Sequence, residues 1–295
     1  ILEKYNDKNI VFVSSIFQES PLILVSLKNK NINNISDLQN KRVMITDDAI
    51  QTATIKSILN SDKNFNFSSL NILPHSGNID DLINNKTDVM ACYLSNEPYT
   101  LSKKGIDYNY FSTNYLNVNF YEGIIFTSQN EVLMNPYRVQ SFDEASLMGW
   151  EYAFSNIEET AKIIFEKYNS QNKSLDELIY EGNVLKDLAK FDSRLLGNIN
   201  INRIEDIKKF YTYSGINKSL NSFNSKSIIF DKEYLILNSS QKKYLKENQF
   251  TLLLKDSNMP FSFKMSNEFK GFEIDLWNLL SNKLSKQFST EDVLN

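Results

Sequence analysis

Short runs of β-branched and aromatic residues separated by polar turns fill the first part of the chain, and a helical spacing takes over in the second. Residues 10–16 (I-V-F-V-S-S-I), 22–27 (L-I-L-V-S-L), 41–46 (K-R-V-M-I-T) and 70–73 read as strands. Residues 89–94 (V-M-A-C-Y-L) form an almost continuous apolar run, the pattern of a strand buried on both faces. A helix is expected over about 49–59, with Ile50, Ile55, Ile58 and Leu59 as a partial stripe. Asn78 with Asp81 has capping-box spacing for another over 79–84. Residues 105–111 hold a tyrosine cluster, and 119–128 read as a further strand.

From Ser141 the chain turns helical. Ser141 with Glu144, Asn156 with Glu159, Ser174 with Glu177 and Asn202 with Glu205 each set a capping residue three before a Glu, which predicts four helix starts. Ile157, Ala161, Ile164, Phe165 and Tyr168 share one helical face, as do Leu175, Leu178, Ile179, Leu185 and Leu188. Ser214 and Gly215 end the last helix, and Trp150 and Tyr152 are expected in the core. After about Leu220 the composition shifts to Asn and Ser, a linker over 221–249. A strand over 250–254 and a helix opening at 271–277 (G-F-E-I-D-L-W) follow.

Composition narrows the function. With 41% hydrophobic and 13% aromatic residues, the 295-residue chain can bury sizeable cores. A net charge of −4, with Lys and Arg scattered in no more than short pairs, excludes a phosphate-binding surface for nucleic acid. One Cys and one His exclude a multi-ligand Cys/His zinc site, and no apolar run is long enough to span a membrane. Cys92, inside the buried strand, reads as a small core side chain.

Candidate chemistry sits at strand ends, where polar side chains emerge from an apolar scaffold. Asn96 and Glu97 follow the buried strand, flanked by Tyr93 and Tyr99. Gln18, Glu19 and Ser20 end the first strand and face either a cleft or solvent as an ordinary turn. Asp47 and Asp48 occupy a strand-to-helix turn of the kind that often holds an anion. Two carboxylates there disfavour sulfonate or phosphate and favour an amine, although capping the helix is their alternative role and the better reading of Asp47. His75 ends the 70–73 strand beside Gly77, as a ligand contact or as a structural residue. Tyr121 and Glu122 precede the apolar residues 124–126.

The segment D-V-M-A-C-Y-L-S-N-E-P-Y (88–99) resembles the thiamine-pyrimidine-precursor type of periplasmic solute-binding domain, which recurs as the extracytoplasmic sensor of bacterial signalling proteins. So do S-I-F-Q-E-S-P-L-I-L (15–24), N-F-Y-E-G-I-I-F-T-S (119–128) and S-F-D-E-A-S-L-M-G-W-E-Y-A-F (141–154). The resemblance spans roughly residues 8–215. It implies an α/β, two-lobed periplasmic-binding-protein-like (type II) fold with a hinge of two crossover strands at about 24–28 and 120–126. Lobe 1 would take residues 1–24 and 125–220, and lobe 2 residues 28–122. The opening Ile leads to the expectation of a fragment that lacks the family's first strand and helix.

The resemblance implies a small, flat, nitrogen-containing ligand such as a thiamine pyrimidine precursor, bound without a cofactor. Glu97 would accept paired N–H bonds, Asn96 and Gln18 would match ring nitrogens, and Tyr93, Tyr99 or Tyr121 would stack. Ser20, Asp48, His75 and Glu122 complete the candidate set. The tail over 250–295 resembles the opening of an amino-acid-type (family 3) solute-binding domain, which favours a periplasmic sensor attached to membrane-anchored signalling domains over an ABC-transporter delivery protein. An enzyme reading, in which pyrimidine-synthesising members of the broader family use pyridoxal phosphate, needs a reactive lysine and a histidine in the cleft, and none of the candidate strand ends named above carries a lysine.

Overall fold

The computed structural model describes residues 9–50, 52–113, 119–213, 224–231, 237, 239–248 and 252–285. The chain divides into two compact units, Ile1–Gln129 with Ser141–Phe230 and Asn130–Gln140 with Asp231–Asn295.

In the first unit, β1 (Ile10–Phe17) carries the first β-branched run, and β2 (Leu22–Leu27) the second. β3 (Arg42–Met44), β4 (Asn71–Leu73), β5 (Val89–Tyr93) and β6 (Tyr108–Phe111) follow, then β7 (Glu122–Ser128). Five of these form one sheet in the order β4-β3-β5-β2-β6. β3 runs parallel to β4 and β5, whereas β2 is antiparallel to both of its neighbours. Ile23, Val25, Met90 and Cys92 pack into one apolar cluster, and Leu24, Val89 and Ala91 into another. Successive side chains of β2 and β5 thus enter two separate clusters, so both runs are apolar throughout. β6, which reads Tyr-Asn-Tyr-Phe, lies beside β2, and its tyrosine-rich sequence gave no strand expectation.

β1 pairs antiparallel with β7, from Ile10 opposite Ser128 to Phe17 opposite Glu122. Phe230 donates its N–H to the Phe12 carbonyl at 2.7 Å, and Ile229 bridges Phe12 in parallel, so this stretch of the expected linker lines the other edge of β1. β2 lies wholly in the five-stranded sheet, which corrects the expected crossover at 24–28. The chain passes from one sheet to the other at residues 18–21, and returns between β6 and β7.

The helix expected over 49–59 is two helices, α1 (Asp47–Ile50) and α2 (Ala53–Leu59). Thr52 divides them. In an extended conformation its hydroxyl donates to the Ala49 carbonyl at 2.6 Å and accepts the Ile55 N–H at 3.3 Å, local bonds that compete with helix continuation. α3 (Asp80–Ile83) and α4 (Glu97–Lys103) complete this lobe.

α5 (Gln129–Met134) precedes α6 (Pro136–Ser155), in which Ser141 is an interior residue and not a cap. Pro136 starts the helix instead, its missing N–H costing nothing there. α7 (Ile157–Lys167) and α8 (Leu175–Leu188) pack together, and the Ser174 hydroxyl accepts the Glu177 N–H as its spacing predicts. α9 (Ile201–Tyr213) starts at Asn200, whose side chain accepts the Asn202 N–H. An aromatic row runs from Phe17 through Trp150 and Phe154 to Phe191 with centroids 5.2–5.6 Å apart. Trp150 therefore packs as expected. Tyr152 does not, being 51% exposed on α6. The expected end of α9 at Ser214 and Gly215 lies outside the described residues.

Besides nearly all of α5 and the first residues of α6, the second unit contains α10 (Ser239–Glu247), a three-stranded antiparallel sheet of β8 (Ser257–Asn258), β9 (Ser262–Met265) and β10 (Glu268–Lys270), and α11 (Phe272–Ser285). Gly271 sits at φ +119°, where an added Cβ would lie 2.5 Å from the Phe261 carbonyl oxygen, so the turn into α11 excludes a side chain. Of the strand expected over 250–254, Phe250 and Thr251 lie outside the described residues, and 252–254 form no ladder.

Candidate ligand-binding site

Strand direction decides which loops meet. Because β3 and β5 are parallel, Thr46 and Asp48 after β3 emerge at the same sheet end as Tyr93 and Glu97 at the close of β5. Antiparallel β2 begins at that end, with Leu22 opposite Tyr93, which brings the 18–21 segment there as well. Phe17 faces Glu122 across the other sheet. Ser20 then joins the two strands by donating its hydroxyl to Glu122 Oε2 at 3.1 Å.

Three carboxylates at this junction act electrostatically on one tyrosine. Burial raises the Tyr93 phenol above its ordinary value, and the charges of Glu122, Asp48 and Glu97 raise it further. The ring is nevertheless 52% exposed. Asp48 is held below the usual carboxylate range by the Thr46 hydroxyl and by the backbone N–H groups of Ala49 and of Asp48 itself, so it is a firm anion. Glu122 behaves oppositely. Its side chain reaches solvent, but protein surrounds it closely enough that desolvation raises its pKa, with the Ser20 hydroxyl opposing. Tyr211 on α9, a position the helical pattern gave no reason to single out, is raised by burial and by Glu122.

Glu97 is partly engaged: Oε2 accepts the Tyr93 N–H at 2.9 Å and Oε1 accepts from Asn96 Nδ2 at 3.1 Å. A carboxylate has about four lone-pair positions, so acceptor capacity remains.

The structure gives other candidates structural work. Gln18 is 2% exposed, and its Nε2 donates to the carbonyls of Leu195 at 2.9 Å and Asn198 at 3.0 Å. Its Oε1 accepts from Arg203 Nη1 at 3.2 Å, so the side chain clips the hinge to the helical layer and does not await a ligand. His75 Nδ1 accepts the Gly77 N–H at 2.9 Å, which makes Nε2 the donor to the Ala91 carbonyl at 2.8 Å. Both ring nitrogens are spent on backbone. Tyr121 is 8% exposed; its hydroxyl accepts the Asn200 N–H at 2.8 Å, and Arg203 covers its ring at 4.7 Å. Tyr99 packs against Tyr180 of α8 with centroids 5.4 Å apart and rings tilted by 48°, and the Tyr180 hydroxyl donates to the Leu94 carbonyl at 3.1 Å. What remains together is Ser20, Asp48, Tyr93, Asn96, Glu97 and Glu122. Pyridoxal phosphate does not fit this set, since His75 is committed elsewhere and three carboxylates would oppose a phosphate.

Cys92, 2% exposed behind Tyr93, is the expected core residue, and burial followed by Glu97 pushes its thiol well above the ordinary value. Among the described residues no helix is long and apolar enough to cross a membrane.

Similarity to solved structures extends over most of the chain. A periplasmic sulfonate-binding protein SsuA from Methylobacillus flagellatus KT matches with TM-score 0.54 at 15% identity, covering 83% of this chain and 72% of that one. An Archaeoglobus fulgidus protein matches with TM-score 0.51 at 12% identity, covering 73% and 76%. A Staphylococcus aureus ligand-binding component of an ABC-type import system, solved with zinc bound, matches with TM-score 0.50 at 10% identity, covering 78% and 74%. These likenesses establish the two-lobed fold of periplasmic binding proteins. Among curated proteins there is no significant match. The family model described as NMT1/THI5 like matches residues 1–160, more than half of the sequence, and the chain accordingly belongs to the NMT1/THI5-like family.

Proposed function

We propose that this protein is a non-enzymatic, extracytoplasmic solute-binding module whose cleft takes a small amine-bearing nitrogen heterocycle of the thiamine pyrimidine-precursor type. The observation that carries this reading is the meeting of Asp48, Glu97 and Glu122 at the sheet end that holds the half-exposed Tyr93, where Glu97 accepts the Tyr93 N–H at 2.9 Å and Ser20 bonds Glu122 at 3.1 Å. An aminopyrimidine stacked on Tyr93 offers N–H groups to these carboxylates and ring nitrogens to Asn96, and charge-assisted hydrogen bonds of this kind are roughly twice as strong as neutral ones. A sulfonate in the same place would meet like charge. Ligand contacts from both lobes would favour the closed arrangement over the open one.

The sensor role rests on the second compact unit, which has its own sheet and helix and is read as the beginning of another binding domain. Delivery of solute to an ABC transporter is the alternative, favoured by the similarity in fold to binding proteins of ABC-type transporters.

Isothermal titration calorimetry against hydroxymethylpyrimidine, with taurine as the anionic comparison, tests the ligand class. The expected result is saturable pyrimidine binding that Tyr93→Ala and Asp48→Asn each weaken at least tenfold, and no binding of taurine. Tighter binding of taurine than of the pyrimidine by the folded protein would overturn the reading.

A further inference from the structure

A second cavity lies in the helical layer, among residues that have no part in the cleft. α6, α7 and α8, with the 168–173 loop, line a half-open pocket of about 330 Å³. Its walls are Trp150, Phe154, Ile157, Ala161, Leu178 and Leu185. Apolar cavities of about 150 Å³ already take up benzene, so a larger pocket reachable from solvent has room for an aromatic molecule. The volume here falls within the range of small-molecule sites, which runs from about 300 to 1,000 Å³.

Polar groups in the lining specify what would fit. Thr160 lines the cavity, and its buried Oγ1 has no hydrogen-bond partner among the described residues. A helical threonine ordinarily satisfies its hydroxyl on the carbonyl one turn back, so this hydroxyl is left for something else. Lys173 and Glu181 also line the space, but they pair at 2.8 Å and neutralise each other. The loop they border is ordered: Asn169 Nδ2 donates to the Lys173 carbonyl at 2.7 Å, and Asn169 Oδ1 accepts the Lys173 N–H at 2.8 Å. Gly182 lets the walls approach, because a Cβ there would sit 2.8 Å from the Ile157 Cγ2 atom.

We propose that this cavity is a second small-molecule site, for a neutral and mainly aromatic molecule with one hydrogen-bonding group directed at Thr160. Aromatic rings meet Trp150 and Phe154, the single polar group meets Oγ1, and the internally paired Lys173 and Glu181 call for no net charge on the ligand.

The probe is 2-naphthol, followed by Trp150 fluorescence in protein carrying Trp277→Phe and by calorimetry. Saturable one-to-one binding is expected, about tenfold weaker in Thr160→Val and abolished in Ala161→Leu, which fills the space. Tyr93→Ala, in the cleft, should leave it unchanged, and the anion 2-naphthoate should bind at least tenfold more weakly. Should Ala161→Leu fail to fold, Leu185→Trp fills the same cavity from α8. Absence of saturable binding, binding that survives a folded cavity-filling variant, or binding lost in Tyr93→Ala would each overturn the proposal.

Discussion

Gln18→Ala separates a structural clip from a ligand contact. The substitution removes two neutral hydrogen bonds, from Nε2 to the Leu195 and Asn198 carbonyls, and one from Arg203 to Oε1. The Arg203 bond to the Gln18 main-chain carbonyl at 2.9 Å remains, so the cation keeps a partner. At about 1 kcal/mol net for each lost bond, the destabilisation is about 3 kcal/mol. Urea unfolding is followed by Trp150 fluorescence in a Trp277→Phe background, since Trp150 packs on Phe17 beside the mutated residue, with centroids 5.6 Å apart. With an m-value of about 3 kcal/mol/M, the midpoint falls by about 1 M. Pyrimidine affinity, measured well below that midpoint, stays within about threefold. Gln18→Glu should not restore stability, because its carboxylate would face the same two carbonyls without a proton to donate. An unmoved midpoint together with a tenfold loss of affinity would refute the clip and return Gln18 to the ligand.

The same logic applies to His75→Ala, expected to cost about 1–2 kcal/mol through its two backbone bonds while leaving pyrimidine binding intact, as a paired melting and titration experiment would show. Asp88 accepts from Arg42 Nε at 3.0 Å and Nη2 at 2.8 Å, and this pairing holds its carboxyl far below the ordinary range. A depressed folded-state pKa gives stability that is present above the unfolded value and lost as pH falls beneath it. Asp88→Asn should therefore cost about 2 kcal/mol at pH 7 and flatten the acid limb of a midpoint-versus-pH series. Glu122 has the opposite sign: its raised pKa means that folding favours the neutral form, so Glu122→Gln should leave the unfolding midpoint at pH 7 unchanged or higher. The same variant should lower pyrimidine affinity at least tenfold by titration, and a destabilised variant with normal affinity would contradict the assignment.

What the sequence determined by itself are features set by near neighbours along the chain. β2 and β5 are legible because a strand covered on both faces must be apolar at every position. The start of α8 at Ser174 is legible because a cap bonds within three residues, whereas Ser141 shows the same spacing inside a helix that Pro136 had already begun. The ends of β3 and β5 pointed to Asp48, Tyr93 and Glu97, since polar residues after a buried strand must emerge at its edge. Tertiary structure alone decided the partners of buried polar groups. Gln18 meets Leu195, Asn198 and Arg203 from remote parts of the chain, and Tyr121 is capped by Asn200 and Arg203. Nothing in a local pattern separates such a clip from a residue awaiting ligand, because both are polar side chains at a strand end. The antiparallel course of β2, which moves the crossover to residues 18–21 and sets Ser20 against Glu122, is likewise a property of sheet order. A strand's own residues specify that it is buried, but its direction and neighbours are chosen by the sheet that best covers all of them together.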